Sequence, residues 1–134
     1  MSVLADTSGI YAVLDRTDRQ HEVATRIWAL LLSGSERVLI TNYILIETMA
    51  LVQRRLGMEA VRALVDEMLP ALEVEWVSRE DQHAALAAVL AANRRNLSLV
   101  DCTSFQVLRR LGQRTVFAFD PHFEEHGFEP VVPG

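Results

Sequence analysis

The chain has 134 residues, half of them apolar, enough for one domain over residues 1–134 with a core of its own. Its net charge of −5 excludes bulk attraction as the means of holding a polyanion, so a nucleic-acid enzyme built on it needs bound cations and a local basic patch. A lone cysteine, Cys102, excludes an internal disulfide and fits a reducing compartment; with no secretory signal and no apolar run long enough to span a bilayer, a cytoplasmic protein is expected.

Strand and helix patterns alternate along the chain. Val3 to Ala5 form a short apolar strand ending at Asp6, and Ser8 and Gly9 open a helical pattern through Leu14. Asp18 is placed to cap a longer helix, in which Val23, Ile27, Leu30 and Leu31 share a face and which Gly34 ends. Val38 to Ile40 read as the second strand, and Thr41 or Asn42 as the cap of a helix that stops near Gly57. A further helix runs from Met58 to about Met68, before Pro70. Val74 to Val77 form the third strand. Ser78 or Asp81 caps an Ala-rich helix to about Ala92, and Ser98 starts another that Gly112 closes. Thr115 to Phe119 form the fourth strand, ending at Asp120 and Pro121, and Val131 with Val132 suggests a short last one.

Strands separated by helices predict an α/β fold, a three-layer α/β/α sandwich on a mostly parallel sheet. Ligands of such folds sit outside the carboxyl ends of the strands, where this reading puts Asp6 and Asp120.

Most of the 18 acids lie in mixed-charge helical segments and read as solvated. Asp6, Glu47, Asp101 and Asp120 instead have apolar flanks, as in Tyr-Ile-Leu-Ile-Glu-Thr-Met-Ala around Glu47. Each has a plain structural alternative: Asp6 as a helix cap, Glu47 as a surface position, Asp101 as a first-turn acid and Asp120 as a turn starter. Taken together they favour one site. Clustered carboxylates repel one another and are costly to desolvate, and oxygen-only ligands select a hard divalent ion, Mg²⁺ or Mn²⁺.

The same segments carry a resemblance. Leu-Ala-Asp-Thr-Ser-Gly-Ile-Tyr-Ala at 4–12, Thr-Asn-Tyr-Ile-Leu-Ile-Glu-Thr at 41–48, Leu-Ser-Leu-Val-Asp-Cys-Thr-Ser-Phe at 97–105 and Phe-Ala-Phe-Asp-Pro-His-Phe at 117–123 resemble, in order, the motifs of PIN domains, and most of all the VapC-type toxins of toxin–antitoxin pairs. The resemblance implies a PIN-like sandwich and an Mg²⁺- or Mn²⁺-dependent endoribonuclease. It also implies a homodimer and a cognate antitoxin whose tail enters the active-site groove. By position it makes Asp6, Glu47, Asp101 and Asp120 the catalytic, metal-binding acids, with Thr7, Asn42 and Ser98 as polar helpers. Asp6 and Asp101 are expected as the most direct ligands, with Glu47 and Asp120 completing the site directly or through waters.

The other conspicuous residues have plainer readings. His122 reads as a turn histidine, with substrate contact as the alternative. All 13 basic residues are Arg; the pairs Arg54/Arg55, Arg94/Arg95 and Arg109/Arg110 read as solvated helix ends, with RNA phosphate as the alternative partner. Cys102, Trp28 and Trp76 read as packing residues. Three other functions compete: a PIN-like RNA-processing nuclease outside a toxin pair, a phosphohydrolase with Asp6 as nucleophile, which generally wants a second Asp where Ser8 stands, and a non-catalytic PIN-like binding module.

Overall fold

The computed structural model describes residues 2–133. Its five strands are β1 (Ser2–Ala5), β2 (Arg37–Thr41), β3 (Glu73–Glu75), β4 (Thr115–Phe117) and β5 (Glu129–Pro130). They form one sheet in the order β3-β2-β1-β4-β5, and every pairing is parallel. Parallel neighbours need crossover connections, and the helices supply them: α1 (Thr7–Leu14) and α2 (His21–Ser33), α3 (Asn42–Leu56) and α4 (Met58–Ala63), α5 (Arg79–Ala92) and α6 (Leu99–Leu111), and the short α7 (His122–Glu125). This is the expected α/β architecture, with the sheet parallel throughout.

The chain winds outward from β1 to β3, then returns to lay β4 against the other side of β1. Strand order therefore reverses between β1 and β4, which leaves a crevice at their carboxyl ends. β1 is central and buried along its length, with Leu4 paired to Leu39 on one side and to Val116 on the other. The core packs around it through Leu4, Ile10, Ile27, Ile40, Ile44, Phe117 and Phe123.

Close packing at the crevice depends on Gly9. A Cβ there would lie 2.5 Å from the carbonyl oxygen of Phe117, so only glycine lets α1 start against the end of β4. Gly57, at φ +89°, makes the left-handed break between α3 and α4.

Several boundaries differ from the sequence reading, each for a local reason. Asp18 does not cap α2; its carboxylate accepts the Gln20 N–H at 2.8 Å and closes a turn ahead of the helix. The helix from Met58 widens into a π turn over Leu64–Met68, which buries Leu64 and Met68, before a 3-10 turn at Pro70. The last strand is Glu129–Pro130, one step before Val131, because the Glu129 and Val131 amides donate to Arg114 and Val116.

Arg110 is also not the solvated helix end it reads as. Its guanidinium bonds the buried Asp81 carboxylate at 2.9–3.2 Å, Glu75 at 3.1 Å and the Trp76 carbonyl at 3.3 Å, pinning α6 to β3 and to the start of α5. Burial works to raise the Asp81 pKa, yet hydrogen bonds from Arg110 and Ser78 bring it below the usual carboxylate value. Arg110→Ala leaves that carboxylate enclosed without its cation. A loss of about 2 kcal/mol is expected, below the range for a fully buried pair because the Arg side chain is partly exposed. The urea midpoint measures it, and an unchanged midpoint would remove Arg110 from the fold's supports.

Candidate active site

Each of the four acids flanked by apolar residues reaches the crevice by a different local device. Asp6 follows β1, and its N–H donates to the Phe117 carbonyl at 3.0 Å, tying the end of β1 to β4. Its Oδ2 caps α1 by accepting the Ser8 N–H at 3.2 Å and the Ser8 hydroxyl at 2.7 Å. That hydroxyl in turn accepts the Phe119 N–H at 2.9 Å, so Ser8 links Asp6 to the loop bearing Asp120. Glu47 projects from α3, half-buried, and its Oε1 accepts the Thr7 hydroxyl at 2.7 Å; Thr7 also lies 2.8 Å from the Thr48 hydroxyl.

Asp101 stands in the first turn of α6. It forms a capping box with Ser98: the Ser98 hydroxyl accepts the Asp101 N–H at 3.0 Å, and Asp101 Oδ2 accepts the Ser98 N–H at 3.2 Å. Asp120 follows β4, and its Oδ1 accepts the His122 N–H at 2.9 Å. The helix-cap and turn roles weighed against a site for Asp6, Asp101 and Asp120 are therefore real, and they coexist with clustering. A capping oxygen keeps a second lone pair: Asp101 Oδ2, which accepts the Ser98 N–H, and Asp120 Oδ1, which accepts the His122 N–H, are also the oxygens nearest His122 Nδ1.

All four acids line one cleft of about 960 Å³, with Thr7, Ser8, Ser98 and His122. Burial pushes the Asp6 pKa up to about 7 against the pull of its Ser8 hydrogen bonds, with Asp101 and Glu47 adding repulsion. Burial likewise raises Glu47, as do Asp101 and Asp120, against the Thr7 hydrogen bond. Asp101 is raised by burial and by Asp120, while Ser98 and His122 oppose the rise. Among the described residues no Arg pairs with any of the four. They form a pocket of uncompensated negative charge.

Within the cleft three potential ligand side chains come together closely. Ligand atoms of Asp101, Asp120 and His122 all lie within 4.8 Å of one another. The His122 side chain is 10% exposed; its Nδ1 sits 2.8 Å from Asp120 Oδ1 and 3.6 Å from Asp101 Oδ2. Nδ1 nevertheless has no hydrogen bond, because the short contact lies off the direction of a ring N–H. Converging donors with an unpaired nitrogen among them fit a bound cation. His122 thus belongs to the turn after β4 and lines the cleft as well. Nothing in the spacing of the chain marks it beyond its place after Asp120, whose Oδ1 accepts the His122 N–H in the turn.

Asn42 is not brought to the cleft. Its side-chain oxygen accepts the Val77 N–H at 2.8 Å and holds the segment after β3, while Thr41, buried, caps α3 through the Ile44 N–H. Ser8 holds the place where a phosphohydrolase of the Asp-nucleophile type would carry its second Asp, and it is committed to positioning Asp6.

The arginine pairs divide. Arg54, Arg55 and Arg94 line the cleft together with Arg19, whereas Arg109 lies over the Phe128 ring at 5.6 Å and Arg110 is locked into the fold. Arg55 rests 5.8 Å from the Tyr11 ring centre, and Arg94 bonds Glu125 at 3.2 Å. The local basic patch that the net charge requires is therefore present, at the mouth of the acidic pocket. No helix among the described residues is long and apolar enough to cross a membrane.

Comparison with known proteins agrees with this arrangement. The PIN domain family model matches residues 3–129. The chain is 34% identical over 132 residues to the 23S rRNA-specific endonuclease VapC20 of Mycobacterium tuberculosis, covering 98% of each. The crystal structure of that relative, described as a Sarcin-Ricin loop cleaving toxin, superposes with a TM-score of 0.86 over 98% of this chain and 99% of that one. The fold recurs in VapBC2 from Rickettsia felis, bound to a promoter DNA fragment (TM-score 0.72, 12% identity, 98% of each chain). It recurs also in FitAcB from Neisseria gonorrhoeae (TM-score 0.69, 17% identity, 99% and 98%). A parallel sheet with its acids gathered at the strand-order reversal, and full-length similarity to such a toxin, make the chain a member of the PIN domain family and a homologue of the VapC-type toxins.

Proposed function

We propose that this VapC-like PIN endoribonuclease uses Asp6, Glu47, Asp101 and Asp120 to hold Mg²⁺ or Mn²⁺ and to hydrolyse a ribosomal RNA phosphodiester. The observation that carries the reading is the pocket of four acids without an Arg partner, opening between arginines in a full-length homologue of an rRNA endonuclease. A bound divalent ion would neutralise the scissile phosphate and lower the pKa of an attacking water. The chain's own residues do the positioning. Thr7 orients Glu47, Ser98 orients Asp101, and Ser8 holds Asp6 against the Asp120 loop.

The cleft arginines receive the flanking phosphates. Arg54→Ala with Arg55→Ala should lower RNA affinity, raise KM with little change in kcat, and reduce the salt dependence of binding by about two phosphate contacts. An unchanged salt slope would place the RNA path elsewhere.

The crystallised VapBC and FitAcB relatives support a cognate antitoxin as partner. Leu86 and Leu90, exposed one turn apart on α5, support a homodimer. The test is incubation of the antitoxin-free protein with total RNA, with and without divalent metal. Discrete cleavage of ribosomal RNA that stops with EDTA is expected. Intact RNA of every class in the presence of bound metal would overturn the reading.

A further inference from the structure

The acids explain an affinity for a hard ion, but they do not explain His122. Its side chain is nine-tenths buried and aimed into the cleft, and its Nδ1 has no hydrogen bond. An enclosed polar atom without a partner costs on the order of 1–3 kcal/mol, so its position calls for a group that completes it.

Two groups compete for that place. One is the Asp120 carboxylate itself, through an imidazolium ion pair. The 2.8 Å contact is short enough, but it lies off the ring N–H direction, so the pair is not hydrogen-bonded. The other is a metal ion beside both. Adjacent ligands of an octahedral ion with bonds of about 2.1 Å are separated by about 3 Å. Nδ1 lies 2.8 Å from the nearer Asp120 oxygen and 3.6 Å from the nearer Asp101 oxygen, which brackets that spacing. Donors that approach one another without bonding are arranged as ligands are around a common centre.

The ring is also held in place. The His122 carbonyl accepts from His126 Nδ1 at 2.8 Å and from the His126 N–H at 3.2 Å. Phe105 stacks on the His126 ring with centroids 4.4 Å apart, fixing that support to α6, the helix that carries Asp101. One rigid unit thus sets Asp101 and His122 relative to each other.

We infer that His122 Nδ1 is a direct nitrogen ligand of the ion held by Asp101 and Asp120, so that the site favours Mn²⁺ over Mg²⁺. The inference rests on the metal-dependent reading above and refines it. Mg²⁺ prefers oxygen and keeps its waters, whereas a first-row transition ion gains from an imidazole donor.

Pulsed EPR of the full-length protein loaded with Mn²⁺ tests the bond directly, with histidine alone labelled with ¹⁵N. A histidine nitrogen coupling is expected that changes with the label and disappears in His122→Asn. Competition titrations should show the Mn²⁺-over-Mg²⁺ preference falling at least tenfold in that variant, with Mg²⁺ affinity much less affected. Bound Mn²⁺ without a histidine coupling in the unsubstituted protein overturns the inference and leaves the metal site standing. A coupling that survives His122→Asn overturns the assignment to His122. Calorimetry showing no Mn²⁺ binding at all overturns both readings. The first measurement needs no variant, so it holds whether or not His122→Asn folds.

Discussion

Asp6→Asn should reduce RNA cleavage by at least about a thousandfold while leaving the fold as stable as before, or more so. A thousandfold corresponds to about 4 kcal/mol of barrier, of the size expected for losing a group that holds the catalytic ion. Stability moves the other way for two reasons. The carboxylate's structural work is to cap α1 through Oδ2, and the Asn side-chain oxygen can accept the same bonds from Ser8, since Asn and Asp are equivalent caps. The substitution also removes an acid that burial and two neighbouring carboxylates already push up to about 7. A thermal melt beside a single-turnover cleavage assay separates the two effects. Retained cleavage would remove Asp6 from the site, whereas a collapsed melt would show that its charge supports the fold. Asp101→Asn follows the same argument, with the Ser98 capping box in place of the Ser8 bonds.

Stripping the metal should abolish cleavage and reverse the usual pH dependence of a carboxylate-rich protein. Asp6, Glu47 and Asp101 all have raised pKa values in the folded state, chiefly because burial disfavours their charged forms. A carboxyl whose pKa rises on folding binds protons that the unfolded chain has already released. Its contribution is fully present below the unfolded pKa and is lost as pH climbs through the folded one. For Asp6 that window runs from 3.8 to about 7, which at about 1.4 kcal/mol per pH unit is on the order of 4 kcal/mol. The metal-free protein should therefore lose stability between about pH 4 and 7 and level off above. Asp15, Glu73 and Asp81 have lowered pKa values, so their losses fall at more acidic pH and leave the window clear. Added Mn²⁺ or Mg²⁺ should raise the melting temperature more at pH 8 than at pH 5, because the ion displaces protons from the ligands it binds. Metal-free melts that stay flat or rise across the window would contradict the raised acids. Equal metal shifts at both pH values would contradict their role as ligands.

How much of this is legible in the sequence depends on whether a property is local. The alternation of strands and helices, and the caps at Thr41, Ser78 and Ser98, follow from a few neighbouring residues, and the structure keeps them. The four acids stood out because a carboxylate amid apolar residues must be partnered wherever the chain takes it. The convergence of Asp6 and Asp120 follows from strand ends, since loops at the carboxyl ends of parallel strands share one edge of the sheet, whereas Glu47 and Asp101 reach the crevice from helices α3 and α6.

Other features exist only once distant segments meet. Arg109 and Arg110 are neighbours on one helix, yet one lies over Phe128 and the other bridges α5 and β3; the 100° turn between consecutive helical residues points them at different elements. Arg54 and Arg94, read as solvated helix ends, line the cleft because α3 and the segment before α6 border the same crevice. Asn42 and Thr41 are equivalent candidates on the chain, and only the approach of Val77 commits Asn42 to holding the loop after β3. The four carboxylates were thus determined by the sequence, through the cost of an unpaired charge among apolar neighbours. The arginine rim, the Ser8 link and the inward turn of His122 were decided by the tertiary structure. Each depends on which surfaces face one another, and no residue's own neighbours specify that.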